Sequence, residues 1–144
     1  MELRNTDNTA EDLEIVQRPD MVGMHVWWTV SRETSGSQQI LFDTAIFPPH
    51  VQHGLHRHAH AEEVCYLVSG SGYHITEDRL IYQAERDVVY IPANEWHGFY
   101  NPSDEPVVMV SAWGGIASKQ DYGYEEMPGS RDVVQALIDR MDKQ

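Results

Sequence analysis

The chain has 144 residues, 41% of them hydrophobic, with 23 acidic against 10 basic side chains and a net charge of −13. That length holds one domain with a real core and falls short of two, and the hydrophobic content excludes a disordered chain. The charge excludes nucleic acid and anionic membrane surfaces as natural partners, while a small anionic substrate stays admissible beside a metal cation. Cys65 is the single cysteine, so neither an intramolecular disulfide nor a cysteine-based zinc site is available. Residues 1–8 show no apolar run behind a basic start, and no stretch reaches the ~20 apolar residues of a bilayer span. A cytoplasmic location and no membrane partner are the expectation.

Residues 1–20 are polar and acid-rich and read as an N-terminal arm, ordered only where it docks. Residues 21–118 read as a β-barrel. Met24–Val30 is β-rich, with Met24, Val26, Trp28 and Val30 on one face. Ser31–Gln38 reads as a polar loop. Ile40–Phe47 is a strand ended by Pro48-Pro49. Glu63–Val68 is closed by Ser69-Gly70-Ser71-Gly72. A meander follows, with strands at Tyr73–Thr76, Leu80–Gln83, Asp87–Ile91, Trp96–Tyr100 and Val107–Trp113. Short strands at this turn spacing indicate a sandwich or barrel. Residues 119–144 form a C-terminal extension. In it Ser130 is placed to cap a helix, and Val133, Val134, Leu137, Ile138 and Met141 recur at helical spacing.

The chemistry concentrates in His56-Arg57-His58-Ala59-His60-Ala61-Glu62-Glu63 and in His97. Residues two apart on a strand share a face, so His56 and His58 reach one metal. Glu63 joins them only if Ala59–Glu62 bulges or turns. Imidazole and carboxylate together suit Fe, Mn, Ni, Zn or Cu. Arg57 points away, toward a salt bridge. Cys65 is a small core residue. Tyr73, Phe99, Trp28, Phe42 and Trp113 are candidates to line a pocket. One of the adjacent indoles of Trp27 and Trp28 faces out, toward a covered surface.

These residues resemble the two motifs of the cupin superfamily. His56, His58, Glu63 and Gly70 match the first, and Pro92, His97 and Asn101 match the second. His50, Arg86 and Asn94 stand where the motifs carry glycine. The resemblance implies an all-β fold, a double-stranded β-helix (the jelly-roll or cupin barrel), here with a short C-terminal helix. It implies one divalent transition metal per chain, Fe or Mn favoured, held by His56, His58, Glu63 and His97. It also implies a homodimer, expected to cover the N-terminal edge strand. The expected function is a metal-dependent enzyme acting on a small oxygenated organic substrate. Dioxygenase chemistry ranks first, with Glu63 as ligand or base and His60 as a possible proton shuttle. The alternatives are a redox-neutral isomerase, lyase or decarboxylase, and a non-catalytic cupin that binds a small ligand.

Overall fold

The computed structural model describes residues 1, 3, 13–19 and 21–144, and the rest of the expected arm lies outside the described residues. Among the described residues, eleven strands make two antiparallel sheets. β1 (Leu13–Ile15), β2 (His25–Val30), β3 (Ile40–Phe47), β10 (Val107–Gly114), β5 (Glu62–Ser69) and β8 (Val88–Ile91) form sheet A in that spatial order. β11 (Tyr124–Glu126), β4 (Gln52–His58), β9 (His97–Tyr100), β6 (Ser71–Ile75) and β7 (Leu80–Ala84) form sheet B. The two sheets make the double-stranded β-helix that the strand pattern anticipates, and the expected strands recur with small shifts at their ends.

Alternation explains the core. On β3, Leu41, Asp43, Ala45 and Phe47 are buried while Phe42, Thr44 and Ile46 turn outward. Met24, Val26, Ala45, Phe47, Leu67, Phe99, Val107 and Met109 close the inter-sheet core at one end. α2 (Ser130–Met141) lays Val134 and Leu137 on Leu55 and Ile75, the outer face of sheet B. Ser130 does not cap this helix. Gly129 occupies the N-cap, and Ser130 Oγ instead accepts the Leu55 backbone N–H at 2.7 Å, which fastens the helix to β4. The Ser31–Gln38 loop contains one helical turn, α1 (Arg32–Ser35). Ser31 caps it by accepting the Thr34 N–H at 3.1 Å, a local bond that the loop reading did not include.

Two expectations about the edges change. β2 is not an edge strand, because β1 from the same chain covers it, with Leu13 opposite Trp27 and Ile15 opposite His25. Trp27 is half-buried and stacks on His25 at 5.8 Å. The C-terminal extension is not merely an outer helix, since β11 adds a strand to β4 and sets Tyr124 opposite His58.

His50, Arg86 and Asn94 all take positive φ, at 63°, 76° and 67°. These are the three positions where the motifs would carry glycine, so the turns keep their left-handed geometry without it. Asn101 fixes the end of β9. It is fully buried, and its Nδ2 donates to the carbonyls of Phe47, Pro48 and Glu105 at 3.3, 3.1 and 2.8 Å. No helix among the described residues is long and apolar enough to cross a membrane.

Candidate metal centre

β4 and β9 run side by side with His56 opposite His97, and His58 follows two residues along the same face. Their ring nitrogens can all lie within 4.8 Å of one another. His56 Nδ1 lies 2.8 Å from the Gly54 carbonyl, and His97 Nδ1 lies 2.8 Å from that of Glu95. Such bonds fix each Nδ1 as the donor and leave Nε2 to face the cavity. The Asn94 N–H donates to the His58 carbonyl at 2.8 Å, so the turn before His97 is tied to the end of the His56–His58 strand.

Glu63 arrives from the opposite sheet. The turn at Ala59–Ala61 carries the chain from sheet B to sheet A, and this crossing restores the phase that strict alternation would have lost. The Glu63 carboxylate accepts from His97 Nε2 at 3.1 Å and lies 3.4 Å from His58 Nδ1. Glu62 points outward and accepts from Tyr90 Oη at 2.9 Å. Burial alone would raise the Glu63 pKa, but the hydrogen bond and charge of His97, with His58 behind it, hold the carboxyl down at about 2. For His97 burial acts downward and the Glu63 hydrogen bond prevails, so its pKa is raised. Burial dominates at the other two imidazoles, pushing His58 down to about 4 and His56 well below the ordinary imidazole range. His56 and His58 are thus held neutral, the form in which imidazole binds metal.

The cluster opens into a cavity of about 270 Å³, with aromatic walls that include Trp28, Phe47, Phe99, Trp113, Tyr122 and Tyr124. Tyr122 stacks on His58 at 4.7 Å and 14°. Trp28, Phe99 and Trp113 stand where the sequence placed them. Tyr73 and Phe42 do not line the cavity, because the pleat turns both to the outer faces. On β6 the inward residue is His74, and Tyr73 packs on Tyr82 instead.

His60 is exposed on the turn and lies outside the cavity wall. His53 takes the inner place. A register shift between His53 and His56 turns His53 inward as well, stacked on His56 at 3.9 Å and 8°, with Nε2 3.0 Å from Tyr124 Oη. Arg57 points away and pairs with Glu125 at 2.7 Å. Cys65 is buried, and its Sγ donates to Glu63 Oε1 at 3.1 Å.

Sequence reasoning missed Asp43, His53, Ser111, Tyr122 and Tyr124 as cavity residues. Asp43 carried a readable signal, since it alternates with Leu41, Ala45 and Phe47. The bulge that turns His53 inward and the three-residue β11 left no trace in the pattern.

Residues 43–113 match the family described as Cupin domain. Over these residues the chain is similar to a cupin domain. The cupin barrel is similar to RemF, a polyketide cyclase of Streptomyces resistomycificus, with a TM-score of 0.68 at 16% identity over 84% of this chain and 89% of that one. It is also similar to a Cupin 2 conserved barrel domain protein of Salinispora arenicola, at a TM-score of 0.62 and 22% identity over 79% and 88% of the two chains. A predicted oxalate decarboxylase of Thermotoga maritima gives 0.58 and 20% over 65% and 81%. No protein of curated function matches the chain in sequence.

Proposed function

We propose that the protein is a metal-dependent enzyme acting on a small, planar, oxygen-bearing organic molecule. The observation that carries this reading is the convergence of His56, His58, His97 and Glu63 on an aromatic-walled cavity. The donor set fits a divalent transition metal: three imidazoles, two of them with Nδ1 against a backbone carbonyl, and one buried carboxylate. His56, His58 and His97 would hold the ion, with Glu63 as fourth ligand or as the carboxylate that takes up a proton. A bound ion would supply Lewis acidity toward a substrate oxygen. The chain's own residues bind and orient the substrate: Trp28, Trp113, Tyr122 and Tyr124 offer flat faces and exclude water.

Redox-neutral chemistry has the better support of the two reaction classes. Beyond the four ligand positions the cavity is lined by further proton-bearing groups, the buried Asp43 and the half-buried His53 among them. Similar structures named as a polyketide cyclase and a predicted oxalate decarboxylase point the same way. The dioxygenase reading rests on the ligand set alone. The test is the metal content of protein purified without added metal, followed by deuterium exchange and oxygen uptake with a panel of 1,3-dicarbonyl and hydroxy-aromatic compounds. Exchange without oxygen uptake is expected. Metal-dependent oxygen consumption would restore the dioxygenase reading, and metal-free protein would refute both.

The proposal includes a homodimer, formed through the outer face of sheet A. Across β3, β10, β5 and β8 that face presents Phe42, Ile46, Val108, Val110, Val64, Tyr66, Val68, Val88 and Tyr90, with no lysine, arginine or aspartate. Val88 and Tyr90 are 60% and 58% exposed. Strands ~4.8 Å apart that rise ~3.4 Å per residue give these four a face on the order of 450 Å², a little over half of the ~800 Å² that each partner contributes to a standard interface. Sedimentation should show a dimer that Tyr66→Lys with Val88→Lys makes monomeric; a monomeric wild type at micromolar concentration would refute it.

A further inference from the structure

Asp43 lies near the middle of the inner face of sheet A, opposite Ser111 in register, with Cys65 next across the sheet. It is 5% exposed and lines the cavity. Its carboxyl accepts a backbone hydrogen bond at Ser111, yet its Oδ1 has no hydrogen-bond partner. Two residues beyond Ser111 on β10, Trp113, also 5% exposed and lining the cavity, has an Nε1–H without a partner. Buried polar atoms are nearly always paired, so two orphans on one cavity wall mark the place of a missing partner. Burial, with the charge of Glu63, pushes the Asp43 pKa well above the ordinary carboxyl range. The other titratable groups that face it are Glu14, Cys65 and Tyr122. The cation Lys119 also lines the cavity but is paired with Glu14, and the Ser111 hydrogen bond alone favours a carboxylate; burial prevails, and the group is held as the acid. An acid O–H and an indole N–H are both donors, and together they call for an oxygen acceptor.

We propose that Asp43 is a proton-transfer residue of this cavity and that, with Trp113 Nε1–H on the same cavity wall, it acts on an oxygen of an enolisable hydroxy-carbonyl or dicarbonyl substrate. The proposal rests on the metal-enzyme reading above. In the step, the Asp43 O–H bond breaks and an O–H bond forms on the enolate oxygen of the ligand. The negative charge passes from ligand to carboxylate, and no oxidation state changes. Return of the proton restores the acid. A protonated carboxyl kept in an apolar site to serve an enolate oxygen is a known solution to enol chemistry at neutral pH.

The experiment uses the whole chain loaded with zinc, which is redox-silent, and maltol as the probe, because it is a hydroxy-carbonyl whose adjacent oxygens suit a metal and whose ultraviolet absorption reports its ionisation. Calorimetry in buffers of different ionisation heat counts the protons exchanged on binding. Wild type and Asp43→Asn should hold equal zinc, and their proton counts should differ by about one per bound probe. In wild type the infrared carbonyl band of a protonated carboxylic acid should shift or vanish when the probe binds, and this measurement decides the matter should the variant not fold. Equal proton counts, or a band indifferent to the probe, would overturn the role of Asp43. Zinc-loaded wild type that ignores the probe would overturn the substrate class. Wild type that takes up no zinc would instead bring down the metal-enzyme reading beneath it.

Discussion

Replacing Gly98 with alanine should damage the histidine cluster without touching a single histidine. Gly98 follows His97 on β9, where β9 lies against β4. A Cβ there would overlap the His53 carbonyl oxygen and stand 2.9 Å from the Gly54 carbonyl oxygen. Both are backbone atoms, so no side-chain rotation relieves the clash. An ordinary contact needs about 3.5 Å, and β4 and β9 must therefore part locally by about 0.5–1 Å. Overpacking of this kind costs about 2–3 kcal/mol, which for a chain of this size lowers the thermal midpoint by roughly 6–12 °C. The same displacement carries His97 away from His56, its partner in register, so zinc affinity should fall at least about tenfold. Scanning calorimetry and a competitive zinc titration read the two effects. A midpoint within about 2 °C of wild type, together with unchanged zinc affinity, would show that the β4–β9 spacing does not set the site.

His56→Ala should abolish tight zinc binding by equilibrium dialysis, and full occupancy in that variant would dismiss the ligand assignment. Arg86 is exposed and sits at φ 76°. Arg86→Gly should therefore raise stability by about 0.5–1 kcal/mol, since relief of left-handed strain slightly exceeds the added freedom of the unfolded chain; chemical denaturation would reveal a loss if the argument is wrong. Burial pushes His74 down to about 4 from its ordinary 6.5. The unfolded chain then binds more protons between those values, so His74 contributes stability fully above pH 6.5 that is lost as the pH falls toward 4. His74→Phe should flatten the fall of the thermal midpoint across that window, and an unaltered slope would clear His74 of any part in it.

Much of this architecture was legible in the residues. Alternation on β3, β5 and β10 located the two faces, and the proline and asparagine breaks located the turns. His56, His58 and His97 were legible because their spacing puts them on the same faces of strands. Glu63 required a decision between a bulge and a turn, and only the crossing from one sheet to the other resolves it. His53 was illegible because a register shift overrides alternation, and a one-residue slip exchanges faces. Tyr122 and Tyr124 were illegible for a different reason. Three residues of β11 are too few to show a period, and β4, which supplies its hydrogen bonds, lies more than sixty residues earlier. The Ser130 cap failed because the same hydroxyl had a better use on β4.

The late position of β11 bears on how the protein is made. A chain leaves the ribosome N-terminus first and folds as it emerges. The strands carrying His56, His58, Glu63 and His97 therefore emerge before Tyr122 and Tyr124 do. Until then the face of His58 that Tyr122 covers is open to solvent, and β4 lacks the neighbour that pairs from His58 to His56. A metal ion meets a wider mouth during synthesis than after it, so the nascent barrel should load faster than finished apoprotein. The late strand then acts as a stopper.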